Sequence, residues 1–475
     1  MTSLLEDDHP RDECGVLAVD SPDASQSAQL AFFGLFALQH RGQEAAGIAV
    51  ADGGRAKLHK DVGLVNTVFT PETLAPLVGR YAIGHTRYST QGSSSARNAQ
   101  PFLVETMHGP LGVAHNGNIV NAGDLRGDLL QKGFGLTATS DTEVIALMLA
   151  SANGRSWEDR LERTMTSWTG AYSLVLLAAD RVIAVRDPWG FRPLSMGRLP
   201  DGGNVVASET CALRTLGCSE IREIEPGEIV TLHDGEVQTR RAMVGLRQQS
   251  RCAFEFVYFS RPDSEWAGQS IHAVRQRLGE ALAVEAPAVA DVVIAVPDSS
   301  TPAAIGYGRA LRIPVNDGLI KNRYIGRTFI EPTQRLREHR VAMKFNALAA
   351  NLAGRRVVMI DDSLVRGTTA GPLVKLLRDA GATEVHVRIT CPPILHPCHM
   401  GVDMGTYDEL IAHRLGVDEL RKHIDADSLA FLSNESMVRA IGLPVSGACT
   451  ACFTGEYPID LDGVSAKSGF EAVLA

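Results

Sequence analysis

The sequence predicts an α/β protein of two units: a β-rich N-terminal half and a C-terminal half built on a parallel sheet. Three stretches predict it. Residues 357–390 read strand, polar loop, helix, strand: VVMI, then DDSLVRGTT, then GPLVKLLRDAG with Leu373, Leu376, Leu377 and Ala380 at helical spacing, then EVHVRIT. Residues 291–311 repeat the theme, with a buried strand DVVIAV, the turn Pro297-Asp298-Ser299-Ser300 and a helix. Residues 171–240 instead hold successive strand-like pieces, AYSLVLLAAD, RVIAVRDP, NVVASE and EIVTLHDGEV, separated by turns such as Asp187-Pro188 and Asp234-Gly235. They read as sheets sandwiched between helix layers.

Length and composition agree. At 475 residues the chain exceeds one ordinary core. Its net charge of −9 argues against a general nucleic-acid binder, and no run of about 18 apolar residues predicts a membrane span. The start, MTSLLEDDHPRDE, lacks the basic region and apolar core of a secretory signal. A cytoplasmic location is the default expectation, and the eight cysteines then favour free, metal-bound or catalytic thiols over disulfides.

In chain order, residues 1–13 are polar, acidic and aperiodic, and read as a disordered or removable leader. CGVLAVD then opens a strand. A cysteine there is ordinarily core; the alternative is a nucleophile exposed by loss of residues 1–13, with its own α-amine as base. The following segments bear on the choice. LFALQHRGQEAAGIAV reads helix, turn, strand; IGHTRYST sets Arg87 after an apolar run; VAHNGNI sets Asn116 and Gly117 at a strand end; ATSDTEVIALML sets Asp141 before an apolar helix. Glutamine hydrolysis needs a thiol, a side-chain amide and a backbone N–H for the oxyanion, a guanidinium for the α-carboxylate and a carboxylate for the α-ammonium. Cys14, Asn116, Gly117, Arg87 and Asp141 supply that set. Singly, Asn116-Gly117 is a hairpin turn signal, Asp141 a helix N-cap and Arg87 a surface ion pair. Together with CGV, QHRGQE and SDTE, the strings resemble the class II glutamine amidotransferase domain, a four-layer αββα N-terminal-nucleophile fold. That resemblance implies Cys14 as nucleophile, Arg87 and Asp141 as glutamine binders, and Asn116 and Gly117 as the oxyanion hole.

Composition shifts at RQQSRCAFEFVYFSRPDS (247–264), the expected junction. Beyond it, the loop after VVMI has a chemical logic. Gly367 lets backbone approach a ligand, helix-start amides face an anion, and Thr368 and Thr369 add hydroxyls. Asp361 and Asp362 repel phosphate but accept from sugar hydroxyls or surround Mg2+. Phosphate, vicinal diol and metal together describe a phosphorylated ribose. The string resembles the 5-phosphoribosyl-1-pyrophosphate (PRPP) motif of type I phosphoribosyltransferases. By that resemblance Asp298, Ser299 and Ser300 belong to the pyrophosphate loop, Ser299 joins Asp361 and Asp362 around Mg2+, and the basic stretch 319–340 holds the flexible lid.

Cys449 and Cys452 form a CxxC, compatible with redox, zinc or iron–sulfur chemistry. No thioredoxin-like unit surrounds it. Cys252 and Cys398 lie in strings that resemble family members carrying a [4Fe-4S] cluster. Four thiolates alone suit zinc equally well; the resemblance favours iron–sulfur, with Cys391 excluded and Cys211 and Cys218 structural.

From Cys14 to about Tyr457 the chain resembles the glutamine PRPP amidotransferases, in the form with a cleaved leader and a cluster. The resemblance implies a propeptide at 1–13, an amidotransferase domain at 14–245, a phosphoribosyltransferase domain at 255–430 and a C-terminal segment, 431–475, with the CxxC. It further implies synthesis of 5-phosphoribosylamine, Mg2+ dependence, purine-nucleotide feedback and a homotetramer. A PRPP sensor would not need Cys14, Arg87, Asn116 and Asp141, and an amidotransferase with another acceptor would not need 357–369.

Overall fold

The computed structural model describes residues 13–88, 95–242, 248–322, 343–404 and 406–461. The leader up to residue 12 and the lid residues 323–334 lie outside the described residues.

The N-terminal unit is two antiparallel sheets face to face. Its strands are β1 (Gly15–Asp20), β2 (Ala45–Asp52), β3 (Arg55–Val62), β4 (Tyr81–Arg87), β5 (Phe102–Thr106), β6 (Gly109–Ile119), β7 (Gly170–Leu177), β8 (Val182–Arg186), β9 (Ser195–Arg198), β10 (Asn204–Ala207), β11 (Ser219–Glu223), β12 (Glu228–His233) and β13 (Glu236–Arg241). One sheet runs β11-β9-β10-β1-β4-β2-β3 and the other β13-β12-β8-β7-β6-β5. Alternation along each strand sorts side chains to two faces. Val16, Ala18, Ile83, Ala114 and Val175 fill the gap between the sheets. Leu17 and Val19 turn outward onto helix α1 (Ser27–Ala37). Val113 and Leu174 turn outward onto α2 (Ala122–Gln131), α3 (Asp141–Ser151) and α4 (Trp157–Met165). The result is the αββα stack expected.

The second unit carries a four-stranded parallel sheet in the order β14 (Val292–Ala295), β15 (Arg356–Asp361), β16 (Glu384–Ile389) and β17 (Ser428–Phe431). Val357, Val358, Met359 and Ile360 are all fully buried, because helices cover both faces of a parallel sheet. Helix α5 (Ile271–Glu285) precedes β14, α6 (Thr301–Leu311) follows it, and α7 (Ala370–Asp379) follows β15. In α7, Leu373, Val374 and Leu377 are buried while Lys375 pairs outside with Asp379. Helix α8 (Asn434–Ile441) packs on α5 within the same core. The junction folds as a π-helical turn, Glu255–Phe259. Just before it, Arg251–Cys252 pairs in parallel with Ala448–Cys449, so the far end of the chain returns to the junction.

Candidate active sites

Strand pairing gathers the first set of residues. Gly15 of β1 lies opposite Thr86 of β4, so Cys14 and Arg87 stand at the same sheet end. By alternation Cys14, Arg87 and Asn116 share the face of Val16, Ile83 and Ala114, towards the gap between the sheets. His85 Nε2 meets the His115 carbonyl at 3.0 Å, joining the two sheets beside them. Burial pushes the His85 imidazole down to about 3, so it is neutral at pH 7.

Cys14 is 6% exposed, and its Sγ donates to the Tyr88 carbonyl at 3.4 Å. Burial pushes the thiol up to about 11, against the pull of the neighbouring Arg87 guanidinium. The carboxylates of Asp141 and Glu44 also lie near enough to raise it. Cys14, Arg87 and Asp141 therefore share one electrostatic site.

Arg87 is buried, not a surface ion-pair residue. Asn116 and Gly117 form no hairpin turn: β6 runs on to Ile119, and they pair with Ser173 and Tyr172 of β7. Gly117 has φ +146°, and a Cβ there would stand 2.0 Å from the Ala171 carbonyl oxygen. Asn116 Nδ2 is buried and meets no hydrogen-bond acceptor among the described residues. Asp141 is the first residue of α3, but the cap is Ser140, whose hydroxyl accepts from Thr142 N. The Asp141 carboxylate accepts instead from Ile119 N at 3.0 Å and lies 3.4 Å from His115 Nδ1. Burial would raise this carboxyl; His115 and the backbone donors hold it below the ordinary range.

Sequence reasoning missed a buried charge cluster around Cys14. Arg41 Nε donates to the Cys14 carbonyl at 3.1 Å. Its Nη atoms reach Glu209 at 2.6 Å, Glu255 at 2.5 Å and Glu13 at 2.9 Å. Arg192 also holds Glu13. Burial would raise the Glu209 carboxyl, yet His40 and Arg41 hold it well below the usual range. Arg41 lies within QHRGQE, which marks its importance but not its partners.

The second set sits at the carboxyl ends of β14 and β15, neighbours in the parallel sheet, where ligands bind in such folds. Ser299 Oγ donates to Asp362 Oδ2 at 2.5 Å, and Ser300 Oγ to Asp361 Oδ1 at 3.2 Å. Asp361 and Asp362 are buried, and Ser363 Oγ also donates to Asp362 at 2.8 Å. Asp298 is exposed at the rim beside Lys321, 3.1 Å away. Gly367 has φ +72°, and Ile411 lies 2.4 Å from where its Cβ would be. Thr368 is exposed at the loop's lip, and Thr369 is the residue before α7.

Cys252, Cys398, Cys449 and Cys452 line one small cavity, otherwise walled mainly by Phe254, Met400, Val402, Met404 and Tyr457. Cys391 is buried but outside that lining. Burial raises the Cys452 thiol well above its ordinary value, and the thiols of Cys398, Cys252, Cys449 and Cys391 add to the rise. Among the described residues no three His, Cys, Asp or Glu side chains are grouped to hold a single metal ion. No described helix is long and apolar enough to cross a membrane.

Residues 85–215 match the glutamine amidotransferase domain family. The chain is 50% identical to the amidophosphoribosyltransferase of Synechococcus elongatus over 461 residues, covering 96% of this chain and 93% of the relative. It is 45% identical to that of Bacillus subtilis, covering 95% of each. The solved B. subtilis glutamine PRPP amidotransferase, complexed with ADP and GMP, superposes with a TM-score of 0.90 at 44% identity, covering 96% of this chain and 99% of the relative. This chain belongs to the amidophosphoribosyltransferase family, the glutamine-dependent glycosyltransferases of purine biosynthesis.

Proposed function

We propose that Cys14, its α-amine freed by removal of residues 1–13, attacks the side-chain amide of glutamine and passes the released ammonia to PRPP. The thiol adds to the amide carbon and ammonia leaves; water then hydrolyses the thioester to glutamate. Ammonia forms the bond to ribose C1 as the bond to pyrophosphate breaks. The products are 5-phosphoribosylamine, glutamate and pyrophosphate.

The observation that most directly supports the first half is the unsatisfied Asn116 Nδ2. A buried donor without an acceptor costs about 1–3 kcal/mol. An oxyanion on the attacked carbon would satisfy it, with the Gly117 amide as second donor. Arg87 would clamp the α-carboxylate and Asp141 the α-ammonium. Burial holds the thiol protonated at neutral pH, so attack needs a base, and an α-amine freed on Cys14 by leader removal would supply it.

In the second half, Gly367, Thr368 and Thr369 hold the 5-phosphate, Asp361 and Asp362 the ribose hydroxyls, and Asp298, Ser299 and Ser300 the pyrophosphate. The converging hydroxyls and carboxylates of Ser299, Asp361 and Asp362 are an all-oxygen set suited to Mg2+, which would offset pyrophosphate charge. Free ammonia in water is mostly ammonium, so the lid at 321–334 would close a passage between the sites.

The four cavity thiols would hold a [4Fe-4S] cluster that ties the chain end to the junction. Four thiols converge on one mainly apolar cavity, and the likeness of their surrounding strings to cluster-bearing members of the family is what favours iron–sulfur over zinc. Purine nucleotides are proposed as feedback ligands, a homotetramer as the assembly and the cytoplasm as the compartment.

The test is glutamate release by anaerobically purified protein, with and without PRPP and Mg2+. PRPP-dependent release matched by pyrophosphate is expected. Release indifferent to PRPP would overturn the acceptor assignment.

A further inference from the structure

A loop from the second unit presses on the glutamine site of the first at three successive residues. Asn118 Nδ2 donates to the His399 carbonyl oxygen at 2.9 Å. The Met400 carbonyl accepts from Arg192 at 2.6 Å and 3.1 Å, and Arg192 also holds Glu13, next to Cys14. Gly401, at φ +103°, lies so close to the Gly117 backbone that a Cβ on it would stand 2.9 Å from the Gly117 carbonyl carbon and 3.1 Å from its oxygen. The Met400 side chain, 2% exposed, is buried with Val120, Ala171 and Phe191 of the first unit.

We infer that residues 399–401 are a positioning element for glutamine hydrolysis, with Gly401 holding the Asn116–Gly117 segment in register for the oxyanion. This rests on the reading of Asn116 and Gly117 as the oxyanion donors. Such donors act only within about 2.7–3.1 Å of the developing charge. A shift of a few tenths of an ångström therefore weakens transition-state binding. Glutamine itself would be held by Arg87 and Asp141, on β4 and at the start of α3 rather than at the segment Gly401 meets. The effect falls on kcat and spares KM.

The test compares Gly401→Ala and Asn118→Ala with Asn116→Ala. Three readouts are followed: glutamate release, glutamine KM, and synthesis driven by added ammonia, which bypasses hydrolysis. In Gly401→Ala, kcat for glutamate release is expected to fall at least about tenfold, a fraction of the loss of a whole oxyanion donor. KM and ammonia-driven synthesis are expected to stay within about twofold. Asn118→Ala, which adds no bulk, is expected to move kcat in the same direction by less. An unchanged kcat in Gly401→Ala overturns the inference, as does a joint fall of kcat and ammonia-driven synthesis, the mark of general misfolding. If Asn116→Ala leaves kcat intact, the oxyanion reading itself fails, which separates the two outcomes.

Discussion

Arg41 Nε donates a hydrogen bond to the carbonyl oxygen of Cys14 at 3.1 Å, so the backbone of the proposed nucleophile hangs from a fully buried guanidinium. The same side chain forms ion pairs with Glu209, Glu255 and Glu13. Arg41→Ala leaves these carboxylates without their shared cation and is expected to cost about 3–5 kcal/mol of stability, read by denaturant unfolding. Arg41→Lys recovers little, because an ammonium cannot reproduce the guanidinium's planar fork. A melting curve unchanged in either variant contradicts this.

The Cys14 thiol in the chain that retains Glu13 is expected to be a poor nucleophile at neutral pH. Burial raises its pKa to about 11, above the ordinary value, so the protonated form is favoured by folding. That stabilisation is complete below the unfolded thiol's pKa and is lost as pH rises through about 11. Alkylation by iodoacetamide, followed by peptide mass analysis, should accelerate about tenfold per pH unit between about pH 8 and 10. A rate that levels off near pH 8 rules out the buried, protonated thiol.

Asn116→Ala is expected to reduce kcat for glutamate release by about 10²–10³. Ammonia-driven synthesis should persist, since Asn116 belongs to the first unit alone. Equal loss of both activities would place Asn116 outside the oxyanion hole.

Much of the proposed PRPP site was legible because most of its parts are contiguous. Strand, acidic pair, glycine loop and helix occupy residues 356–379, and local propensity and ligand chemistry point the same way. The proposed glutamine site was legible only as scattered strings. Its support was not, because Arg41 finds Glu209 and Glu255 at separations of 168 and 214 residues. A charged residue in a sequence reads as solvated unless its partner is adjacent. Asn116-Gly117 carried a turn signal, yet cross-strand pairing with β7 keeps it in a strand.

Asp361→Ala is expected to abolish synthesis with either glutamine or ammonia, as is Asp362→Ala, because both remove oxygen ligands from the proposed ribose and Mg2+ site. Gly367→Ala should raise KM for PRPP, since its Cβ would meet Ile411 at 2.4 Å and its φ is +72°. PRPP titration of synthesis checks all three. Full activity in the aspartate variants is incompatible with their role.

Protein purified without oxygen is expected to be brown, with absorbance near the blue and iron bound to Cys252, Cys398, Cys449 and Cys452. Loss of the cluster should lower the unfolding midpoint, because the thiols join Arg251–Cys252 to Ala448–Cys449 across the junction. Colourless protein with stoichiometric zinc sinks the assignment.

The contact between Gly117 and Gly401 joins residues made at very different times. The sheets that hold the proposed glutamine residues are finished when less than the first 250 residues have been made. Residues 399–401 are made later, by on the order of ten seconds at roughly 5–20 residues per second. If residues 399–401 position the oxyanion donors as proposed, a nascent chain until then carries an unbraced glutamine site and an unfinished parallel sheet. On that proposal, glutamine hydrolysis stays weak in the nascent chain until the glycine pair that joins the two units has formed.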